Sequence, residues 1–206
     1  MSEMEAVRVR GSLPTVMQCQ LCQASLTPSE LNRVSGVDLC GLCVGASLTG
    51  SLPMVGVSLA VEEQRRVEGR LYRYRAKLIF DPPLSSLRSF SLSFSREAGL
   101  SRLTNWLRSE IQVGDPLFDD NVTIRAQKSG REGVKRLLQS EGLQSAVLAL
   151  VSGMDGGGDS LRIQSGTVSW GCSRRMPYAA DEWQMMMLEL VALAIHLRRS
   201  DQDGRI

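Results

Sequence analysis

Two matched pairs of cysteines constrain this chain more than any other feature of its sequence. Cys19 and Cys22 form one C-x2-C pair, Cys40 and Cys43 form the other, and seventeen residues separate the pairs. Each pair lets a tight turn aim both sulfurs at one point, and two such turns supply the tetrahedral thiolate shell of a structural zinc site. The spacing therefore predicts one Zn²⁺ bound by these four residues. Because a shell of four thiolates leaves no open position for water or substrate, the predicted role of the metal is structural.

Cysteine usage also predicts the cellular environment. Five cysteines, four of them in close pairs, favour a reducing cytoplasm in which thiolates are kept for metal, with two disulfides as the alternative. Cys172 stands apart and is interpreted as a small buried residue. The acidic stretch at residues 1–6 lacks the apolar segment of a secretory signal. No run of about 18 apolar residues occurs, so no membrane association is expected.

Composition divides the chain into four parts. Residues 1–15 mix charges with glycine and proline and are expected to form a flexible lead-in, and residues 16–45 hold the four cysteines. Residues 46–54 are small and polar with glycine and proline, which is typical of a linker. Residues 55–206 carry enough apolar periodicity for a core of their own. Within the cysteine module, two short strands around the cysteine turns would make a zinc ribbon, which we favour slightly, and a short helix beginning at Thr27 would make a treble-clef or LIM-like finger.

Strand and helix patterns follow one another irregularly after the linker. Predicted strands cover residues 55–61, 71–80, 90–94, 122–126, 161–164 and 167–170. Predicted helices cover residues 100–111 and 180–199, and residues 133–152 form either one helix broken near 141–142 or two short helices. This order predicts an α+β fold, in which a small four-cysteine zinc module is followed by a largely antiparallel sheet packed with helices and by a long C-terminal helix.

The overall charge does not mark the chain as a nucleic-acid-binding protein. Its 24 basic and 22 acidic residues leave a net charge of +2. Arg73 and Arg75 nevertheless share one face of a predicted strand, while Tyr72 and Tyr74 share the other. Arginines and aromatic residues on a sheet can hold and stack bases, so nucleic-acid contact is one interpretation. A solvated face above a core face is the simpler one.

Residues suited to catalysis are scarce. His196 is the only histidine, and a polar residue near a helix end is a simpler interpretation than a general base. The acidic loop at 114–120 fits no EF-hand spacing and is interpreted as a rigid turn whose Phe118 fills the core. The glycine-rich segment at 155–159 lacks the Lys-Ser/Thr of a P-loop and is interpreted as a mobile loop before a hairpin. We therefore expect no catalytic residue and no enzyme activity.

The predicted C-terminal helix carries apolar residues on more than one face. They are Trp183, Met186, Met187, Leu190, Val191, Ala194 and Leu197. A helix of this kind either lies within the core of its own chain or is covered on its second face by a partner. Core packing is the simpler interpretation, and a homodimer formed through this helix is the alternative.

Residues 72–199 resemble uncharacterised bacterial proteins that share a Gly-Asp-Pro-x-Phe-Asp motif. In this chain the motif consists of Gly114, Asp115, Pro116, Phe118 and Asp119. It is followed by a strand at 122–126 and a leucine-rich stretch at 137–151. Those proteins carry no assigned activity, so the resemblance implies a bacterial origin and a domain boundary rather than a function. The cysteine part resembles zinc-ribbon and treble-clef modules in general.

These observations together predict a cytoplasmic, non-enzymatic, zinc-containing adaptor that mediates protein–protein contacts. The alternative is a nucleic-acid-associated regulatory protein that uses the zinc module and the strand bearing Arg73 and Arg75.

Overall fold

A computed structural model describes residues 17–20, 22–44, 53–54, 57–62, 72–85, 87, 91–96, 111–126, 131–154 and 159–204. The predicted lead-in lies outside the described residues. Most of the predicted linker also lies outside them, and only its residues 53–54 are described. Of the predicted helix at 100–111, only residue 111 is described. The glycine-rich segment is described only at residue 159.

Two short antiparallel hairpins build the cysteine module. Its strands are β1 (Met17–Gln18), β2 (Ser25–Leu26), β3 (Leu31–Val34) and β4 (Val37–Cys40). Strand β1 pairs with β2, and β3 pairs with β4. A single 3-10 turn, Pro28–Glu30, follows Thr27, and residues 41–44 form one helical turn. The hairpins supply the short strands that the predicted ribbon requires. At Thr27, where the treble-clef alternative places a helix, only a 3-10 turn of three residues follows. Cys40 ends β4, and Cys43 lies on the helical turn.

After the cysteine module, the described residues form one antiparallel sheet of seven strands. They are β5 (Pro53–Met54), β6 (Val57–Glu62), β7 (Tyr72–Phe80), β8 (Ser91–Arg96), β9 (Val122–Ala126), β10 (Ser160–Gln164) and β11 (Thr167–Arg174). Their order is β5-β6-β7-β11-β10-β8-β9, and every neighbouring pair is antiparallel. Strand β5 lies at the end of the segment predicted as a linker.

Four longer helical segments accompany the sheet in the described part of the chain. They are α1 (Pro116–Asn121), α2 (Arg131–Leu137), α3 (Glu141–Ser152) and α4 (Ala180–Gln202). The predicted helix at 133–152 is thus two helices. They are separated at Ser140, whose extended backbone begins α3. None of the described helices combines the length and the apolar composition that crossing a membrane requires.

Helix α4 is buried within its own chain. Its buried residues include Met186, Met187, Leu190, Val191, Ala194 and Leu197. Trp183 is partly buried and packs between Tyr74 and Trp170, with ring centroids 5.2 and 6.3 Å away. The apolar faces that suggested a homodimer are therefore covered without a second copy. The structure confirms the predicted α+β class and the long C-terminal helix.

Candidate metal centre

The four paired cysteines converge on one point. Their Sγ atoms all lie within 4.8 Å of one another, and those of Cys22 and Cys40 are 3.7 Å apart. Zinc with Zn–S bonds of about 2.3 Å needs sulfur–sulfur separations of about 3.8 Å in tetrahedral geometry. A disulfide needs about 2.05 Å, and none of the five cysteines forms one. The cysteines are therefore placed to hold a metal ion, as their spacing predicts.

The backbone around each pair orients the sulfurs. The first pair lies on a turn that is closed by hydrogen bonds from Cys19 N to the Ala24 oxygen and from Gln23 N to the Cys19 oxygen, each 2.9 Å. The amide of Cys40 donates to Cys19 Sγ at 3.3 Å, and the amide of Cys43 donates to Cys40 Sγ at 3.4 Å. Amide donors of this kind stabilise thiolates and fix their direction toward a metal.

The electrostatics of the cluster favour a bound cation. Burial raises the pKa of the Cys43 thiol, and the neighbouring thiol of Cys40 raises it further. Four sulfurs at this separation repel one another when they are deprotonated, and a divalent cation removes that repulsion. Thiolates are soft ligands that suit zinc and iron–sulfur chemistry rather than Mg²⁺ or Ca²⁺. The donor set therefore fits a zinc ion.

An ion pair between the exposed Arg33 and the buried Asp38 holds the hairpin that carries Cys40. The carboxylate of Asp38 is buried and accepts two hydrogen bonds from Arg33, from Nε at 2.7 Å and from Nη2 at 3.0 Å. Arg33 holds the pKa of Asp38 below its usual range. The Asp38 carbonyl also accepts from Gln20 N at 2.8 Å, which links this hairpin to the turn of the first cysteine pair. Because its carboxylate is occupied by Arg33, Asp38 supports the metal site without serving as a ligand.

The tip of the β3–β4 hairpin docks on helices α3 and α4. The carbonyl of Ser35 lies 2.8 Å from His196 Nε2, so this nitrogen carries the proton. The Ser35 hydroxyl donates to Glu189 Oε2 at 2.6 Å. A Cβ atom at Gly142 would lie 2.9 Å from the Ser35 carbonyl oxygen and closer still to the His196 ring, so only glycine fits there.

His196 therefore has a different structural role from the predicted one. It lies one and a half turns before the end of α4 and joins the cysteine module to the helix, rather than complementing the helix dipole. Ser35, Glu189 and Gly142 belong to no functional motif, and their contact was not predicted from the sequence. A glycine inside a helical pattern was the one available signal, since such a residue commonly marks a close approach of two elements.

The Gly-Asp-Pro-x-Phe-Asp motif has a structural explanation. Asp115 caps helix α1 by accepting from Leu117 N at 2.8 Å and Phe118 N at 3.1 Å. Asp119 accepts from the amides of Val113 and Gly114, both at 2.9 Å. Phe118 is buried, as predicted, although the segment is a short helix rather than a turn. Both carboxylates bind backbone amides, which gives these two acidic residues a structural role.

The two faces of β7 separate its aromatic and basic residues. Tyr74 is buried, and its hydroxyl accepts from Tyr178 N at 3.1 Å. Arg73 and Arg75 are exposed on the opposite face. Tyr74 is therefore not available to stack a base beside these arginines. Cys172 is buried as predicted, with its Sγ 3.0 Å from the carbonyl oxygen of Gly153.

Comparison with known proteins adds no relative to this description. No protein-family model, no curated protein and no solved structure matches the chain.

Proposed function

We propose that this protein is a non-enzymatic binding protein in which a structural zinc ion shapes a contact surface for a protein partner. The observation that carries this proposal is the convergence of the four cysteine Sγ atoms within 4.8 Å. Four thiolates close the coordination shell of zinc and leave no position for a substrate. A cluster of reduced thiols also requires a reducing compartment, for which we propose the cytoplasm.

The proposed contact surface is the turn of the second cysteine pair. Leu42 lies between Cys40 and Cys43, and its side chain is 87% exposed. A lone exposed leucine is common on protein surfaces. This one, however, would be held on a turn anchored at both sides by metal ligands, so little conformational entropy is lost when a partner covers it. An apolar side chain on a rigid support is the kind of anchor that protein interfaces use.

The absence of an enzyme activity is part of the proposal. Residues that could act in acid–base or nucleophilic chemistry have structural partners. His196 binds the Ser35 carbonyl, Asp115 and Asp119 bind backbone amides, and Cys172 lies against the Gly153 carbonyl. These contacts support a binding role.

Metal analysis tests the zinc site. Protein purified in reducing buffer without added zinc is expected to contain about one Zn²⁺ per chain. Cys22→Ser is expected to lose most of the metal, because an alcohol is a poor replacement for a thiolate. Cys172→Ser is the matched control, since Cys172 lies outside the cluster, and it is expected to retain the metal. A wild-type protein without zinc, or equal loss in both variants, would contradict the proposal.

The test of the contact surface uses a partner protein that is captured from the host and purified. Its affinity for this protein is then measured by direct binding. Leu42→Ser is expected to weaken that binding by about tenfold or more, which corresponds to about 1.4 kcal/mol. Leu117→Ser is the matched control, because Leu117 is a similarly exposed leucine on α1, remote from the cysteines in sequence. Equal affinities for wild type and Leu42→Ser would place the contact elsewhere.

A further inference from the structure

The outer face of the sheet, opposite α3 and α4, carries a row of alternating basic and hydroxyl side chains. Along this row Arg125 of β9 lies opposite Ser93 of β8, and Ser93 lies opposite Arg162 of β10. Arg162 lies opposite Ser169 of β11, and Ser169 lies opposite Lys77 of β7. We call these five residues the basic row. It crosses five adjacent strands, so with neighbouring strands about 4.8 Å apart it is about 19 Å long.

On β7 to β11, the charged side chains at the described outer-face positions are all basic. The three basic side chains of the row are exposed, and so are Arg73 and Arg75, which continue along β7 from Lys77. The outer-face positions of β7 to β11 hold no aspartate or glutamate. On the neighbouring strand β6, Glu62 lies opposite Arg75 in the register. The net charge of +2 for the whole chain therefore conceals a local concentration of positive charge.

We propose that this outer face binds nucleic acid through the phosphate backbone. Guanidinium, ammonium and hydroxyl groups all offer hydrogen-bond donors, and phosphate oxygens are acceptors only. The basic side chains stand about 10 Å apart across the strands and about 7 Å apart along β7, which presents several charges to one polyanion at once. The small serine side chains between them let a phosphate backbone approach the sheet closely.

Nucleic acid fits this face better than a protein or a membrane does. Ile79 is the one large apolar side chain exposed on it among the described residues, at 43%. A protein interface needs buried apolar or aromatic anchors, and a peripheral membrane protein inserts apolar side chains between lipids. Phosphate contacts need neither, because their free energy comes from charge neutralisation and the release of counterions.

The absence of aromatic side chains from the described part of this face determines how nucleic acid would bind. Tyr74, Phe94 and Trp170 lie on the opposite, buried face of the sheet, so they cannot stack bases. Binding without base contacts is independent of sequence and depends steeply on salt. The proposal therefore predicts weak affinity at physiological salt, with dissociation constants of about 10⁻⁴ to 10⁻⁶ M, and stronger binding at low salt.

This inference goes beyond the proposed function and does not depend on it, because the basic row lies on the sheet and the cysteines lie in the N-terminal module. Loss of zinc in Cys22→Ser is expected to leave nucleic-acid binding unchanged. The two proposals can therefore fail separately.

The test uses fluorescence anisotropy of the zinc-loaded full chain with labelled single-stranded RNA, single-stranded DNA and duplex DNA of mixed sequence. The variant is Lys77→Gln combined with Arg162→Gln, which removes two charges from the basic row. The control is Lys135→Gln combined with Arg136→Gln, which removes two exposed charges from α2. Circular dichroism and metal content verify that both variants are folded.

The basic-row variant is expected to bind at least tenfold more weakly than wild type at low salt. The slope of log affinity against log salt concentration is expected to be smaller in magnitude by about 1.4 to 1.8 for this variant. Each phosphate contact contributes about 0.7 to 0.9 to that slope, and two contacts are removed. The control is expected to stay within about twofold of wild type. Equal weakening in both variants would mean that only the net charge matters. That result would overturn the proposal. So would unchanged binding in the basic-row variant or absence of binding by wild type at low salt. Stronger binding to anionic lipid vesicles than to nucleic acid would also overturn it.

Discussion

Ser35 is held by two ionisable side chains whose protonation is shifted by burial. Burial lowers the pKa of His196, the Ser35 carbonyl opposes that shift, and the charge of Arg199 adds to it. Burial raises the pKa of Glu189, and the hydroxyl of Ser35 opposes it. The neutral imidazole donates its one N–H to the Ser35 carbonyl. The contact between the cysteine module and α4 is therefore sensitive to pH.

Replacing His196 by glutamine tests that sensitivity. The folded pKa of His196 lies below the unfolded value of about 6.5, so the unfolded chain takes up a proton first as the pH falls. The stabilising contribution is complete above about pH 7.5 and is lost as the pH falls through 6.5 to the folded pKa. Glutamine has an amide donor but does not titrate, so His196→Gln is expected to lose less stability over this range.

Denaturant unfolding of both zinc-loaded proteins between about pH 7.5 and 5.5 measures the difference, since the unfolded imidazole titrates near 6.5. Glu189 and the thiolates are present in both proteins, so their titration cancels in the comparison. Parallel pH profiles would show that His196 does not report on this contact.

Helices α3 and α4 approach each other at a glycine. Gly142 lies in the first turn of α3, and the ring of His196 on α4 and the carbonyl of Ser35 occupy the space that a side chain there would need. One small residue thus lets two helices and a hairpin tip meet at one point. The contact joins three elements that are distant in the chain.

Gly142→Ala is expected to destabilise the protein by about 1–3 kcal/mol, as overpacked sites typically do. Alanine is the better helix former, so a purely local effect would have the opposite sign. Gly171→Ala is the control, because a Cβ atom there would meet no neighbour within 4 Å, and its effect is expected to stay within about 0.5 kcal/mol. Thermal or urea unfolding gives both values. A neutral or stabilising Gly142→Ala would mean that the hairpin tip is not tightly docked.

The molecule has two sources of stability. The sheet with α3 and α4 buries most of a large apolar core, in which the Trp170 indole N–H donates to the Leu150 carbonyl at 3.2 Å. Val34, Val37 and Leu39 of the cysteine module belong to the same core. The cysteine module has four short strands and few large buried side chains, and small modules of this kind depend on their metal. Metal removal should therefore affect the two parts unequally.

Chelation of the metal is expected to unfold residues 17–44 and to leave the sheet and α4 folded. Hydrogen exchange followed by mass spectrometry measures this directly, because peptides from residues 17–44 should lose protection while peptides from 160–174 and 180–202 keep it. Readdition of zinc in reducing buffer should restore protection. Loss of protection throughout the chain would mean that the two parts fold as a single cooperative unit.

Local patterns in the sequence predicted several features that the structure confirms. Strand β9 has the predicted bounds, the alternation along β7 separates Tyr74 from Arg75, and α4 begins at Ala180 as expected. These features depend on residues that are close in the chain, where side-chain periodicity follows directly from backbone geometry. The four clustered cysteines belong to the same group, because the geometry of a C-x2-C pair is local.

The position of the cysteines, the α+β class and the burial of α4 could thus be inferred from residue types and their spacing alone. Residue types and their spacing could not predict the strand order or the contact of His196 with Ser35. They also could not predict that Arg125, Arg162 and Lys77 align in one row. Each of these depends on the register between segments that are far apart in the chain. A register is selected by the packing of the whole core, since a shift of one residue would turn every side chain of a strand to the other face. That is why the four-cysteine cluster is apparent in the sequence, whereas the basic row becomes visible only when the strands are paired.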